Sequence, residues 1–127
     1  MISQAKFMNP QAMTNIFGDM PEFTGSELMS VELRRDGPCL LIRLMTEEKV
    51  ENKPKRWDKW DVIYIDMSFI GVRHLNIKDI GTDNIINQFE IDETANSLKI
   101  KCLNQMQIEC IFEWERIDRI SPGLLDT

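Results

Sequence analysis

The chain has 127 residues, of which 43% are hydrophobic, and its formal net charge is −6. This length suits one domain with its own core, so we expect a single domain over residues 1–127, with residues 1–8 as a loose lead-in. The acidic balance disfavours a nucleic-acid partner, which usually requires a basic stripe, and no apolar run approaches the roughly 20 residues that cross a membrane.

The N-terminal part predicts one short helix. Asn9 is a suitable N-cap, Pro10 a suitable first helical residue, and Gly18 a suitable end. One face of this helix carries the apolar side chains Ala12, Met13, Ile16 and Phe17. A helix of two turns is marginal alone, so we expect it to pack on the rest of the fold.

The next stretch predicts a β-hairpin. Apolar and polar residues alternate over residues 27–34 and again over residues 39–45, with Asp36-Gly37 between them. Alternation indicates half-buried strands, and Asp-Gly between two such runs indicates a tight turn in which residues take positive φ.

Alternation returns at residue 60 and continues almost to the end of the chain. Gly71 interrupts it and predicts a bulge or bend, and short turns separate the later runs. Strands joined by short turns pair in antiparallel fashion. The predicted fold class is therefore α+β and mainly β: an antiparallel meander of about seven strands with the short N-terminal helix packed on it.

The sequence offers few groups for catalysis. His74 is the only histidine, and Cys39, Cys102 and Cys110 lack the spacing of metal ligands. No phosphate-binding glycine loop or hydrolase motif occurs. We therefore expect no cofactor, no bound metal and no enzyme activity. The odd cysteine count without a secretory signal favours a cytoplasmic protein with buried, reduced thiols.

Two surfaces are candidates for binding a partner. The first is the tryptophan loop, residues 47–61, in which ten of fifteen residues are charged. Tryptophan and arginine are common at interface hot spots, although the tryptophans could instead pack inward against the sheet. The candidate residues in this loop are Arg56, Trp57, Asp58, Trp60 and Asp61. Paired acid–base catalysis by Asp58 and Asp61 is less favoured than surface salt bridging.

The second candidate surface is an acidic strand face near the C-terminus. Glu109, Glu113 and Glu115 fall on one side of a two-residue period, opposite an apolar set that ends at Trp114. Three like charges on one face repel one another unless water solvates them or a basic partner neutralises them. An ordinary solvated strand face is the simpler interpretation of the same pattern.

Several of these motifs occur together in one known family. Ile16-Phe17-Gly18, then Pro21, the strand over residues 27–33, Arg35-Asp36-Gly37-Pro38 and a Lys-Pro loop that ends at Trp57 resemble, in order and spacing, the immunity protein 50 family. The resemblance implies a bacterial cytoplasmic protein that binds and neutralises the cognate toxin domain of a polymorphic toxin system. It brings no catalytic residues.

Other interpretations of the sequence remain open. A β-rich, non-catalytic binding module for a small ligand or another protein would have a deep apolar pocket near Val62 and Tyr64. A hydrolase would have to use a cysteine or His74. The pattern does not choose between a monomer and a homodimer.

Overall fold

The computed structural model describes residues 7–125, and within them the chain forms one helix and eight strands. In chain order these are α1 (Gln11–Phe17), β1 (Glu27–Arg34), β2 (Cys39–Thr46), β3 (Val62–Ile70), β4 (Arg73–Lys78), β5 (Ile86–Asp92), β6 (Ser97–Cys102), β7 (Gln107–Ile111) and β8 (Trp114–Gly123). The mainly β, α+β class is confirmed, with eight strands where about seven were expected.

The strands divide into two four-stranded antiparallel sheets. Sheet 1 has the order β1-β2-β3-β8 and sheet 2 the order β4-β7-β6-β5. The chain therefore passes from sheet 1 into sheet 2 after β3 and returns to sheet 1 at β8. Both crossings are short, so the two sheets are held together by the chain at two corners.

Gly71 makes the first corner. It has a φ of +72° and lies between β3 and β4. The backbone N–H groups of Gly71 and Val72 both donate to the Pro38 carbonyl, at 3.0 Å each. A glycine takes this φ without the strain that a Cβ would bring. The bend expected at Gly71 is thus the point at which the chain changes sheets.

The second corner lies between β7 and β8. The Phe112 N–H donates to the Asn96 carbonyl at 2.9 Å, and the Glu113 N–H donates to the Ile70 carbonyl at 2.8 Å. Phe112 and Glu115 are both buried, with two exposed residues between them. The alternation of side chains is therefore shifted by one residue at this corner, which exposes Trp114 and turns Glu115 inward.

One hydrophobic core serves both sheets. Phe69 on β3 packs edge-on against Phe112 at a centroid distance of 5.1 Å, and Phe23 packs against Phe89 on β5 at 5.2 Å. The helix adds Met13 and Phe17 to the same core. This agrees with the expected packing of the helix on the strands.

The β1–β2 connection differs from the tight turn that Asp36-Gly37 predicts. Arg34 pairs with Cys39, so four residues form the loop, and of its residues only Gly37 has a positive φ, +123°. The longer loop places Pro38 where its carbonyl accepts the two hydrogen bonds of the first corner. The turn therefore also supports the change of sheet.

Asn9 does not cap the helix as expected, since α1 has no side-chain cap. Its side-chain amide instead pairs with β8: Oδ1 accepts from the Ile117 N–H and Nδ2 donates to the Ile117 carbonyl, both at 2.9 Å. Met8 N–H donates to the Glu115 carbonyl at 2.7 Å. Residues 7–9 therefore line the outer edge of β8, and residues 1–6 of the expected lead-in lie outside the described residues.

Candidate partner-binding surface

Trp57 fixes the tryptophan loop to the core. It is 2% exposed, and its ring meets Trp60 edge-on at a centroid distance of 5.4 Å. Lys53 Nζ donates to the Trp57 carbonyl at 2.6 Å. Of the two tryptophans, the structure thus places Trp57 inside, while Trp60 is half-buried against the core. The alternative that a tryptophan packs inward is correct for Trp57.

The charged residues of the loop face solvent. Arg56 and Asp58 are exposed on either side of Trp57. Asp61 is tied to the end of the chain, because its Oδ1 accepts from the Leu125 N–H at 2.8 Å and its own N–H donates to the Gly123 carbonyl at 3.0 Å. The loop therefore holds exposed charges on a backbone that is fixed at several points.

A concavity of about 420 Å³ adjoins this loop, between α1 and β8. Arg56 contributes to its wall, and Ala12 and Ile16 supply apolar surface from the helix. On the other side, β8 supplies Asp118 and Arg119. The loop and the concavity thus form one continuous surface with mixed charge.

The outer face of sheet 1 carries a larger groove, of about 620 Å³, which the sequence reasoning missed. Three arginine–carboxylate pairs line it. They are Arg34–Glu32 at 2.6 Å, Arg43–Asp66 at 2.8 Å and Arg116–Asp118 at 2.7 Å. All six side chains occupy polar positions of the strands. Their distribution over four strands could be recognised as one surface only once the strand order was known.

The groove and the concavity meet at one residue. Asp118 lines both, and it is fixed by Arg116 and by a hydrogen bond that Ser68 Oγ donates to its Oδ2. The bidentate bond from Arg43 to Asp66 raises the pKa of Arg43, mainly through the hydrogen bond and then through the charge of Asp66. These contacts keep the side chains of the groove in defined positions.

The predicted acidic strand face does not exist as one surface. Glu109 is exposed on β7, but it lies opposite Asn76 on one side and Lys99 on the other. Glu113 lies at the second corner, where its side chain covers Gly71. Glu115 belongs to β8 and is fully buried. The error arises from the shift in alternation between Phe112 and Glu115.

Glu115 is the most perturbed carboxyl group among the described residues. Neither of its side-chain oxygens has a hydrogen-bond partner there. Burial raises the pKa of Glu115 to about 9, with a further rise from Asp118 and a smaller opposing effect from Arg116. A carboxyl group in this setting is protonated at neutral pH. Glu115 is thus a neutral core residue and does not contribute to an acidic surface.

Two of the three thiols are poorly placed for covalent chemistry, and the third, Cys39, is half-buried beside the groove of sheet 1. Cys102 and Cys110 are buried, and burial raises the pKa of both thiols, that of Cys110 to about 11. The thiolate is the reactive form, so these two are weak nucleophiles. His74 is exposed on β4 with a φ of +55°. Residues 7–125 contain no group of three His, Cys, Asp or Glu side chains arranged to hold a metal ion.

The surroundings of Val62 and Tyr64 differ from the apolar pocket that a small-ligand module would need. The concavity that includes Val62 holds about 530 Å³ and is bordered by Glu47, Glu48 and Lys49. Tyr64 is covered by the Arg43 guanidinium, which lies 5.2 Å from the ring centroid. This region is polar and does not favour an apolar ligand.

A family model described as Immunity protein 50 matches residues 9–123. No curated protein and no solved structure matches the chain. In the described part of the chain, no helix has the length and apolar character needed to span a membrane.

Proposed function

The chain belongs to the immunity protein 50 family, and on this basis we propose that it binds and neutralises the cognate toxin domain of a bacterial polymorphic toxin system. The single observation that carries the proposal is the family match, which covers residues 9–123. The protein acts in the cytoplasm, by occupying a surface of the toxin and without catalysis of its own.

The distribution of reactive and charged groups supports a binding role. The two buried thiols, Cys102 and Cys110, are protonated at neutral pH, because burial raises the pKa of both. In contrast, charged side chains are concentrated on two adjoining surfaces, the tryptophan loop with its concavity and the groove of sheet 1.

The tryptophan loop is the surface that we propose for toxin binding. Trp60 offers half-buried aromatic area, and the exposed charged residues Arg56, Asp58 and Asp61 lie close to it along the chain. An aromatic anchor with a charged rim is typical of an interface hot spot. Trp57 contributes from inside, because it holds the loop in place.

Glu109 and Glu113 form a separate, secondary proposal for toxin contact. Both are exposed, but they belong to sheet 2 and to the second corner. Glu115 cannot join them, since a charged lysine at its buried position would lack a partner and would destabilise the fold. A charge reversal of this region must therefore be limited to Glu109 and Glu113.

Coexpression tests the function directly. The toxin domain encoded beside this gene is induced in cells with and without the protein, and growth and complex formation are measured. Survival and a copurifying complex are expected only with the protein. Cell death despite abundant folded protein would refute the immunity function.

Charge reversal on the two surfaces tests where the toxin binds. Arg56→Glu with Asp58→Lys should weaken the complex by about tenfold or more, because rim charges steer and align the partner. Glu109→Lys with Glu113→Lys is the corresponding test of sheet 2 and the second corner. Affinities are measured by titration calorimetry at two salt concentrations. If only the second pair weakens binding, the loop is not the interface.

A further inference from the structure

The four outer edges of the two sheets are protected to different degrees. The edge of β8 is covered by residues 7–9, and the beginning of β5 is covered by residues 25–27, with the Ile86 N–H donating to the Ser26 carbonyl at 2.8 Å. The edge of β4 has an irregular register between Arg73 and Asn76. Covering, bulges and charge are the usual protections of an edge strand against pairing with other chains.

The edge of β1 has a bulge between Leu28 and Ser30, but beyond it no described residue covers the strand, and its two charged side chains, Glu32 and Arg34, pair with each other. Leu28 N–H donates to the Asn84 carbonyl at 2.9 Å, but among the described residues no backbone hydrogen bond outside the β1–β2 ladder involves residues 29–34. The residues from Ser30 to Arg34 pair regularly with β2 and contain no proline or lysine. A regular, uncovered edge of this kind is a template for another strand.

The same strand leaves apolar area exposed on its core-facing side. Leu33 pairs with Leu40, which is completely buried, yet Leu33 itself is 58% exposed. Val31, on the same face, is only half-buried. The inner face of sheet 1 therefore continues past the core at β1, where Val31 packs against the core and Leu33 is largely exposed.

We propose that β1 pairs in antiparallel fashion with β1 of a second copy of this chain, with the two-fold axis at Leu33. In this register Leu33 lies opposite Leu33 of the second copy, and the two side chains cover each other on the core-facing side. The two copies of sheet 1 then form one eight-stranded sheet, in which Glu32, Leu33 and Arg34 of each copy pair across the open edges.

Charge complementarity selects this register. With Leu33 opposite its own copy, Glu32 lies opposite Arg34 of the second copy, and the reverse pair forms on the other side of the axis. Within one copy Glu32 and Arg34 are already neighbours on the outer face, with 2.6 Å between Oε2 and Nε. The dimer therefore has a row of alternating charges, and opposite charges across strands stabilise pairing. A shift of the axis by one residue, to Glu32, would place Glu32 opposite Glu32.

The molar mass in solution tests the proposal. Wild-type protein should have twice the monomer mass of 14.9 kDa in light scattering after gel filtration. Leu33→Lys should give the monomer mass, because it places two like charges at the axis. Ile80→Lys is the matched control, since Ile80 is 63% exposed but lies outside β1; it should remain dimeric.

Other results would overturn the proposal. A monomeric wild type at concentrations up to about 1 mM would show that the edge does not bind a second copy with useful affinity. In that case an extended segment of another protein is the better occupant. A Leu33→Lys variant that stays dimeric would place the interface elsewhere. Toxin neutralisation is measured separately, so a monomeric wild type leaves the proposed function unaffected.

Disulfide trapping tests the register without depending on a disruptive substitution. In a Cys39→Ser background, Leu33→Cys should form a covalent dimer under mild oxidation, because directly opposed residues of paired strands have the Cα separation of a disulfide. Ser30→Cys in the same background should remain uncrosslinked, because residue 30 of one copy lies several residues away along the strand from residue 30 of the other. Equal crosslinking of both variants would refute this register.

Discussion

At the scale of single residues, Glu115 shows how an acidic residue in an alternating sequence pattern can belong to the core. It is fully buried on β8, its side-chain oxygens lack hydrogen-bond partners among the described residues, and burial raises its pKa to about 9. In the unfolded chain the same group has its ordinary pKa of about 4.5. Folding therefore favours the protonated form of this one side chain.

This difference predicts the pH dependence of stability. Between about pH 4.5 and about pH 9 the folded chain holds one proton more than the unfolded chain at Glu115. The contribution of Glu115 to the free energy of unfolding should then fall by about 1.4 kcal/mol per pH unit as the pH rises through this range. Below it, both states are protonated and the contribution is constant. Urea titrations between pH 4 and pH 9 measure the slope.

Glu115→Gln tests whether the pH dependence of the free energy of unfolding comes from Glu115. Glutamine resembles the protonated carboxyl and does not titrate, so the variant should be more stable than wild type at pH 7 by about 3 kcal/mol and should lose most of the slope. Glu109→Gln, on the exposed face of β7, is the control and should keep the wild-type slope. A slope unchanged in Glu115→Gln would mean that the carboxyl is solvated.

The elements show which local features the sequence reveals and which it does not. Periodicity identified the helix and the β1–β2 hairpin, because apolar spacing and turn residues are local signals. The burial of Glu115 was not predictable in this way. The corner after Phe112 shifts the alternation of buried and exposed residues by one position. The sequence pattern does not reveal this shift, because it would equally allow Trp114 to be buried and Glu115 to be exposed.

The tryptophan loop is an element whose order depends on one side chain. Trp57→Ala should lower the free energy of unfolding by about 3–5 kcal/mol, because it leaves a cavity where a fully buried indole packs on Trp60. Trp57→Phe should cost far less, since a ring remains and the substitution removes Nε1, which has no hydrogen-bond partner among the described residues. Chemical denaturation followed by circular dichroism measures both.

A control distinguishes the loop anchor from a general effect of losing an indole. Trp114 is 47% exposed on β8, so Trp114→Ala should cost much less than Trp57→Ala. Equal losses for the two variants would contradict the anchoring role. The sequence alone did not show which tryptophan of the loop is buried, because both Trp57 and Trp60 lie among charged residues.

At the scale of the whole molecule, the division into two sheets could not be predicted from the sequence. Each of the two crossings takes only a few residues. In the sequence the first crossing resembles a bulge, and the second resembles the interior of an ordinary strand. The fold class was predictable, since antiparallel pairing follows from short turns. The groove of sheet 1 was not predictable, because its charged side chains become neighbours only through the strand order β1-β2-β3-β8.

The shared core predicts cooperative unfolding. Phe69–Phe112 and Phe23–Phe89 belong to one cluster that extends over both sheets. Leu44→Ala on β2 and Ile100→Ala on β6 should each lower a single transition by about 2–5 kcal/mol. Tryptophan fluorescence and far-ultraviolet circular dichroism should give the same midpoint. Two separate transitions would mean that the sheets fold independently.

The unequal burial of the three cysteines has a practical consequence. Cys102 and Cys110 are buried and their thiols resist ionisation, whereas Cys39 is half-buried at the start of β2, beside the groove and next to the open edge of β1. A maleimide dye at neutral pH should therefore attach first to Cys39, as peptide mass spectrometry can verify. The native sequence thus provides a position for a fluorescent reporter beside the groove of sheet 1, without any substitution in the chain.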